Sequence, residues 1–352
     1  MTYFFLILGL ATLIIGGEFL VKGAVGIAKK FQISTLVIGM TVISFGTSAP
    51  ELIVSIKAAL SGSPEIAIGN VVGSNIANLA LVLGITVMIF PIIVDRNSKI
   101  LDWPMMMASS LLFFAFALFF GADYTIQRWE GAILFAILIG FIYYLISNSR
   151  KKTKQALAEK IENEEEIEAI PQKMGLSLLY LVIGLVGLYY GAEWLLDSSV
   201  QLATDFGMSK SVIGLTIVAF GTSVPELVTS AVAAFKKETD ISIGNLIGSN
   251  IFNIMAVIGV TAMVKPIPVD GNVINYDMLW MLGISAILLP MMLIGKKLGR
   301  VNGFMLFSTY VVYITLVVMA SQNGWWLVIQ TKIQNDLINH FINKNEWEKV
   351  LL

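Results

Sequence analysis

Long apolar runs separated by short polar segments fill most of the chain. Each run holds about 20 residues, enough to cross the ~30 Å hydrocarbon layer of a membrane as one helix. The pattern therefore predicts an all-α polytopic membrane protein with ten transmembrane helices. The predicted spans are residues 3–27, 35–60, 69–91, 101–120, 126–147, 175–201, 210–235, 244–265, 277–295 and 302–321.

The composition agrees with this class. Hydrophobic residues make up 57% of the 352 positions and charged residues only 13%, with a mean hydropathy of +0.81. Soluble domains carry about 25% charged residues, so the expected surroundings are a lipid bilayer. The net charge of −1 gives no reason to expect a nucleic-acid partner, and no obligatory protein partner is evident. The absence of cysteine excludes disulfides.

Two stretches of the chain are copies of each other. Residues Gly39–Asp95 and Gly214–Asp270 align without gaps at an offset of 175, and 29 of the 57 positions are identical. Five spans lie in each half, and five is odd, so the two copies are predicted to have opposite orientations. Inverted repeats with broken helices that meet at the bilayer midplane are typical of transporters.

The repeat divides the chain into four predicted segments. A first five-helix repeat occupies 1–147, and a second, inverted five-helix repeat occupies 175–322. Between them, 148–174 is predicted to be a solvated cytoplasmic linker that changes from basic to acidic. The tail, 323–352, alternates apolar and polar residues at helical spacing and is predicted to form an amphipathic helix on the outer interface.

Basic residues predict the orientation in the cell membrane. Alternate loops are rich in lysine and arginine, whereas the opposite loops hold only Arg128, Lys210 and Lys265. By the positive-inside rule, the basic loops are cytoplasmic. The basic residues in those loops are Lys29, Lys30, Arg96, Lys99, Arg150, Lys151, Lys152, Lys154, Lys236, Lys237, Lys296, Lys297 and Arg300. Both termini are then predicted on the non-cytoplasmic side.

Glu51 and Glu226 are the main candidates for function. A carboxylate at membrane depth costs at least ~2.5 kcal/mol on insertion scales, so it normally faces a cavity or a partner. Each of these glutamates follows a proline, Pro50 or Pro225, which has no N–H and breaks the helix. The carbonyls that this break frees must line a cavity or bind a ligand. Carbonyl and carboxylate oxygens together suit a hard cation.

Helical spacing adds further oxygens beside the glutamates. In the first half, Ser44, Thr47 and Ser48 accompany Glu51, and the next helix carries a polar stripe. The stripe residues in the two halves are Asn70, Ser74, Asn78, Asn245, Ser249 and Asn253. Oxygen-only ligands favour Ca²⁺, Mg²⁺, Na⁺ or Mn²⁺ over zinc, copper or iron. Four polar residues are instead interpreted as helix packing: Ser55, Asn70, Ser230 and Asn245.

These motifs identify a family resemblance. The segments GTSAPE and GTSVPE, each followed downstream by GSNIAN or GSNIFN, resemble the two repeats of the cation/Ca²⁺ exchanger superfamily. The closest similarity is to the short sodium/calcium exchangers of prokaryotes, and the hydrophobic pattern matches over roughly residues 1–322.

The resemblance implies a secondary active antiporter, not an enzyme, with no cofactor. In such exchangers the two repeat glutamates bind Ca²⁺ and Na⁺ in competition, and the first and sixth spans slide over a fixed core. The implied ligand positions in the first half are Ser44, Thr47, Ser48, Glu51, Ser74 and Asn78. In the second half they are Ala219, Thr222, Ser223, Glu226, Ser249 and Asn253.

Several alternatives remain open on the sequence. Potassium-dependent relatives carry aspartate where this chain has Asn253, so coupling to K⁺ is disfavoured. A proton-coupled exchanger is the nearest rival, because glutamates at low dielectric can carry protons. A cation channel would also use broken helices. An intramembrane hydrolase lacks a nucleophile–base pair.

Glu18 and Glu193 also correspond across the repeat. A salt bridge from Glu18 to Lys22, four residues later, is possible on a helix. Position 197 in the second half, which corresponds to Lys22, is an aspartate. We interpret both glutamates as structural or cavity-lining residues.

Overall fold

The computed structural model describes residues 1–62, 64–120, 124–162, 173–206, 221–294 and 297–323. Within these ranges, eight helices are long and apolar enough to cross a membrane, and one bent helix pair makes a ninth candidate. The protein is therefore a multi-pass membrane protein, as predicted. Of the predicted seventh span, 210–235, the structure describes only the part from residue 221. The tail beyond residue 323 lies outside the described residues.

The first half contains six helical segments. Helix α1 is Thr2–Phe31, and α2, Thr35–Thr47, is followed after a break by α3, Ala49–Leu60. The next two helices each combine α-helical and π-helical parts. Helix α4 comprises Pro64–Ile76, the π-helical Ala77–Val82 and Leu83–Ile89. Helix α5 comprises the π-helical Ser98–Asp102, Trp103–Ala115 and the π-helical Phe116–Phe120. Helix α6 is Arg128–Glu162.

The second half repeats this plan. Helix α7 is Met174–Asp205 and α8 is Val224–Phe235. Helix α9 comprises Thr239–Phe252, the π-helical Asn253–Ile258 and Gly259–Val264. Helix α10 comprises the π-helical Val273–Asp277 and Met278–Ile294, and α11 is Arg300–Asn323. Residues Met1–Tyr310 form one compact unit, and a second begins at Val311.

Short antiparallel strands join loops from the two halves. Strand β1, Ile92–Ile93, pairs with β4, Lys297–Leu298. Strand β2, Thr125–Ile126, pairs with β3, Ile267–Pro268. The β1 and β4 loops were both predicted to be cytoplasmic, and the β2 and β3 loops were both predicted to be outside. Each pair therefore joins loops that the predicted topology places on the same face.

Helices α1 and α7 pack closely through small residues spaced seven apart. A Cβ added to Gly9 would lie 2.9 Å from the carbonyl oxygen of Gly191, and one added to Gly23 would lie 2.7 Å from that of Ser177. Because early residues of α1 meet late residues of α7, the two helices are antiparallel. Small residues let helix backbones approach in this way in membranes.

Burial separates inner from outer helices. In α4 and α9, 78% and 83% of the most apolar window is buried, against 33% in α1 and 22% in α7. A helix that is apolar all round and buried belongs to a protein core. The repeat motifs on α4 and α9 therefore lie at the centre of the unit, and α1 and α7 present apolar side chains to the lipid.

The predicted linker begins as a helix. The fifth predicted span ends at residue 147, whereas helix α6 continues to Glu162, and α7 begins at Met174. Nine of the twelve residues in 151–162 are lysine, glutamine, alanine or glutamate, which are strong helix formers, so the polar chain extends the helix beyond the apolar span. Residues 163–172 lie outside the described part.

Candidate functional site

The first half of the chain bends next to Pro50, as the sequence predicts. Helices α2 and α3 meet at 42° across Ser48, whose φ and ψ are −87° and 2°. Pro50 lies in the first turn of α3, where its missing N–H is tolerated, and Glu51 follows it. In the second half α8 begins after Ser223, at φ −91° and ψ 3°. Both glutamates thus lie in the first turn of a helix, where the helix dipole favours negative charge.

The two carboxylates share one buried environment. Glu51 is 1% exposed and Glu226 is 0% exposed. Their charges interact, and the hydroxyls of Thr47 and Ser48 lie next to the carboxylate of Glu226. Within the described part of the chain, none of their four carboxylate oxygens has a hydrogen bond of good geometry. Buried charges without partners are strongly unfavourable, so this pair needs a cation or protons.

Further oxygens at the predicted positions are buried and available. Among the described residues, four other side-chain oxygens of the predicted set lack a hydrogen-bond partner. They are Oγ of Ser48, Oγ of Ser223, Oδ1 of Asn78 and Oδ1 of Asn253. Such orphaned polar atoms are rare in native structures, and oxygens of this kind can bind an ion or a water. Asn78 and Asn253 both belong to π-helical segments, which are frequent at functional sites.

Other predicted residues connect the halves. The hydroxyl of Ser44 donates to the carbonyl oxygens of Gly39 and Asn245, at 2.8 and 3.0 Å. The hydroxyl of Thr47 lies 3.2 Å from Oδ1 of Asn245 and 3.4 Å from Oγ of Ser249. The end of α2 is therefore held against α9.

The remaining predicted positions are placed as follows. Ser74 is buried in α4, and Thr222 is half-buried in the turn that precedes α8. Ala219 lies outside the described residues. In the part of the chain that the structure describes, no group of three histidine, cysteine, aspartate or glutamate side chains converges. Two carboxylates and neutral oxygens therefore make up the described centre.

The residues interpreted as packing form two equivalent pairs. Asn70 donates to Oγ of Ser55 at 3.2 Å, and Asn245 donates to Oγ of Ser230 at 3.1 Å. Asn70 also donates to the backbone carbonyl of Glu51, at 3.3 Å. These amides thus brace the helices that carry the glutamates, and Asn245 additionally contacts Thr47.

Sequence reasoning missed a polar link between the halves. Nδ2 of Asn253 donates to Oδ1 of Asn75 at 3.1 Å, and Nδ2 of Asn75 donates to the carbonyl of Asn250 at 3.3 Å. Asn75 and Asn250 occupy equivalent positions in the repeat. The asparagine shared by the two copies was the sequence feature that could have indicated this link. Thr229, buried and with no described partner for its hydroxyl, was also missed, and position 54, its equivalent, is valine.

Glu18 forms an ion pair with Lys236 and not with Lys22, the partner that helical spacing suggested. Its carboxylate accepts a hydrogen bond from Nζ of Lys236 at 2.7 Å. Lys22 instead lies over the ring of Phe19, 5.9 Å from its centroid. The ion pair joins α1 to the residue that follows α8.

Comparison with known proteins places the chain in a family. The family model described as sodium/calcium exchanger protein matches residues 1–147 and 176–319. The chain belongs to this family. It is therefore a transporter and not an enzyme, and the resemblance found in the motifs is confirmed.

Individual relatives agree with this assignment. The exchanger is 36% identical over 313 residues to the putative antiporter CaxA of Alkalimonas amylolytica, covering 88% of this chain and 96% of the relative. It is 31% identical over 342 residues to sodium/calcium exchanger MaX1 of Methanosarcina acetivorans, covering 90% and 98%. A solved structure of the sodium-calcium exchanger NCX_Mj, soaked with Na⁺ and Sr²⁺, matches with a TM-score of 0.75 and 32% identity, covering 89% and 97%.

Proposed function

We propose that this exchanger is a Na⁺/Ca²⁺ antiporter whose ions compete for one site built on Glu51 and Glu226. The observation that carries the proposal is the buried pair of carboxylates with no described hydrogen-bond partner. Two carboxylates offset the charge of one Ca²⁺. Because the same oxygens also suit Na⁺, each ion excludes the other, and such competition is what antiport requires.

The proposed ligand set combines these carboxylates with neutral oxygens. Side chains or backbone carbonyls at the two helix breaks supply one group, and residues in the middle of α4 and α9 supply another. The proposed positions are Ser44, Thr47, Ser48, Glu51, Ser74, Asn78, Ala219, Thr222, Ser223, Glu226, Ser249 and Asn253. The orphaned oxygens of Ser48, Ser223, Asn78 and Asn253 support this set.

The strand pairs support ten spans in two inverted halves, 1–147 and 175–322. Strands β2 and β3 are paired, so they lie on one face of the membrane. Between them the chain passes through α6, α7 and α9, which are three crossings. An even number is needed to return to the same face, so the stretch between α7 and α9, which contains α8, makes the fourth. With the basic residues inside, both termini lie on the non-cytoplasmic side.

The unequal burial of the helices supports a mechanism of alternating access. The inner helices α4 and α9 carry the orphaned asparagines, whereas α1 and α7 form a closely packed peripheral pair. We infer that α1 and α7 move together across the core and expose the site to one face at a time. The cytoplasmic linker at 148–174 joins the halves.

Ion uptake into proteoliposomes tests this function. Vesicles holding the full-length protein are loaded in turn with Na⁺, K⁺ or acid, and Ca²⁺ uptake is followed at a clamped membrane potential. An outward Na⁺ gradient alone should drive uptake, because neutral Asn78 and Asn253 stand where a third carboxylate would favour K⁺. Uptake driven by a proton gradient without Na⁺ would favour a proton-coupled exchanger. Uptake with no counter-ion would indicate a channel.

A further inference from the structure

A cavity lined by both polar and apolar side chains lies away from the glutamates. It has a volume of about 90 Å³ and lies between the start of α2, the start of α5 and the end of α6. A cavity needs a volume of roughly 10–15 Å³ to hold one water molecule. This cavity can therefore hold an ion with some of its hydration shell. The lining side chains used below are Ser34, Asn97, Asp102, Ser149, Lys152 and Thr153.

Asp102 is the unexplained group in this cavity. Its side chain is 1% exposed, and neither carboxylate oxygen has a hydrogen-bond partner of good geometry among the described residues. The hydroxyl of Ser98, also buried, lies beside the carboxylate one turn earlier on α5. The proposed transport site uses neither residue. A buried ionisable group at the edge of a membrane span is a functional candidate that needs a compensating partner.

Other polar groups line the same cavity as the carboxylate. Nζ of Lys152 donates to Oδ1 of Asn97 at 3.0 Å. The backbone N–H of Ser34 donates to Oγ of Ser149 at 2.7 Å. These bonds place amide and hydroxyl oxygens from three helices around one cavity.

We propose that this cavity is a second cation site, which binds a monovalent ion of the Na⁺ class through Asp102. The charged side chains that act on Asp102 are Asp95 and Lys152. Together with Asp102 they sum to −1, which balances a monovalent ion but not a divalent one. Ser34 is the N-cap of α2, so a bound ion ties the end of α6 to the helix that ends at Ser48. In the proposed topology the cavity faces the cytoplasm.

The repeat indicates that this site exists on one face only. Asp277 is equivalent to Asp102, but it is half-buried where Asp102 is buried. The position equivalent to Ser98 is Val273, which has no hydroxyl. Asp277 therefore provides a matched control: it has the same charge and the same place in a π-helical segment, in the other half.

Cysteine protection measures ion binding here without relying on transport. The full-length protein carries Thr153→Cys as a reporter in the cavity, since the native chain has no cysteine. Glu51→Gln is added to disable the proposed transport site. The rate of alkylation of this cysteine is measured in solutions of N-methylglucamine, Na⁺, K⁺ or Ca²⁺ salts at equal ionic strength. Lys154→Cys, exposed on the same helix, reports effects that do not arise in the cavity.

The expected result is slower alkylation of Thr153→Cys in Na⁺. At about ten times the dissociation constant, mass action leaves about one protein in eleven free, so alkylation should slow about tenfold. Asp102→Asn should remove this protection and Ser98→Ala should weaken it, whereas Asp277→Asn should preserve it. Na⁺-driven Ca²⁺ uptake by Asp102→Asn without Glu51→Gln would show that this variant folds.

Other results would overturn the proposal. Equal alkylation in all four solutions would mean that no cation enters the cavity and that Lys152 or a proton compensates Asp102. Protection by Ca²⁺ at lower concentrations than Na⁺ would contradict the monovalent assignment. Protection retained in Asp102→Asn would place the ion elsewhere. Because the assay is made in the Glu51→Gln background, failure of the proposed transport site would leave these results unchanged.

Discussion

The hydroxyl of Thr47 lies 3.2 Å from Oδ1 of Asn245, although 198 positions separate the two residues. Thr47 ends α2 in the first half, and Asn245 belongs to the first third of α9 in the second. Through Asn245 the contact continues to Oγ of Ser230, at 3.1 Å. One helix break is thereby connected to the helix that carries the opposite glutamate.

This contact predicts a specific effect of Thr47→Val. The substitution keeps the shape but removes a hydroxyl that contacts Asn245 and Ser249 and lies next to Glu226. A buried hydrogen bond contributes about 0.5–1.5 kcal/mol, so the Ca²⁺ concentration for half-maximal exchange should rise about two- to tenfold. Thr41→Val is the control, because among the described residues the hydroxyl of Thr41 bonds within α2, to the carbonyl of Val37 at 2.6 Å. An equal effect in both variants would contradict a role for the cross-half contact.

The glutamates should be individually essential. Glu51→Gln and Glu226→Gln each remove one of the two buried charges that offset Ca²⁺. We expect Ca²⁺ exchange to fall to the background of empty vesicles, with the protein still inserted. Size-exclusion chromatography in detergent checks folding, and radioactive Ca²⁺ uptake measures transport. Near-normal exchange by either variant would remove that glutamate from the site.

The orphaned hydroxyls should discriminate between ions. Ser48→Ala and Ser223→Ala each remove a buried oxygen with no described partner. Neutral oxygens contribute a larger share of the binding energy of Na⁺ than of Ca²⁺, which the carboxylates dominate. Competition by Na⁺ should therefore weaken more than Ca²⁺ affinity.

Ser55→Ala is the control for these two variants. Ser55 is buried in α3, but its hydroxyl accepts a hydrogen bond from Asn70 at 3.2 Å and so has a structural role. Na⁺ competition against Ca²⁺ uptake is measured in all three proteins. If Ser55→Ala shifts the competition and the other two do not, the assigned ligand face is wrong.

The ion pair between Glu18 and Lys236 should favour one transport state. The position equivalent to Lys236 in the first half is Ser61, which is uncharged, whereas Glu193 is equivalent to Glu18. In an inverted-repeat transporter, each half adopts in the outward-open state the conformation that the other half has in the inward-open state. An ion pair that only one half can form therefore stabilises one of the two states. A partly exposed pair contributes about 0.2–1 kcal/mol, so Lys236→Ser should change the ratio of internal to external Ca²⁺ affinity up to about fivefold.

A swap of the two residues sharpens this test. Lys236→Ser combined with Ser61→Lys should move the affinity ratio further in the same direction than Lys236→Ser alone. The two affinities are measured in proteoliposomes of known protein orientation. Equal changes on both faces would show that the ion pair affects folding or insertion rather than the balance of states.

Thiol labelling tests the proposed topology. The cytoplasmic end of α6 and the β3–α10 loop should lie on opposite faces. An impermeant thiol reagent applied to intact cells should label Asn272→Cys and leave Lys154→Cys unlabelled. Permeabilised cells, in which both should react, provide the control. The reverse pattern would invert the orientation of the transporter.

Much of the architecture could be predicted because it is encoded locally. Apolar runs identified the spans, since the bilayer sets both their length and their composition. Pro50 and Pro225 predicted where α3 and α8 begin, because a missing N–H acts on its own helix, whatever surrounds it. Helix α6 extends beyond the predicted span 126–147 for a similar local reason, because polar residues with high helix propensity continue the helix past the apolar run.

The identical repeat and the buried glutamates were likewise visible in the sequence alone. They determined the family, and they determined which residues to consider for ion binding. An uncompensated carboxylate in an apolar segment is informative without coordinates, because hydrocarbon provides no alternative partner.

Only the tertiary structure decided which distant residues meet. It placed Asn245 against Thr47, paired Glu18 with Lys236 rather than Lys22, and left Asp102 buried without a described partner. These relationships depend on how helices far apart in the chain cross one another, and short-range periodicity contains no information on those crossings. Helical spacing shows which side chains share a face, whereas packing decides which face of another helix they contact.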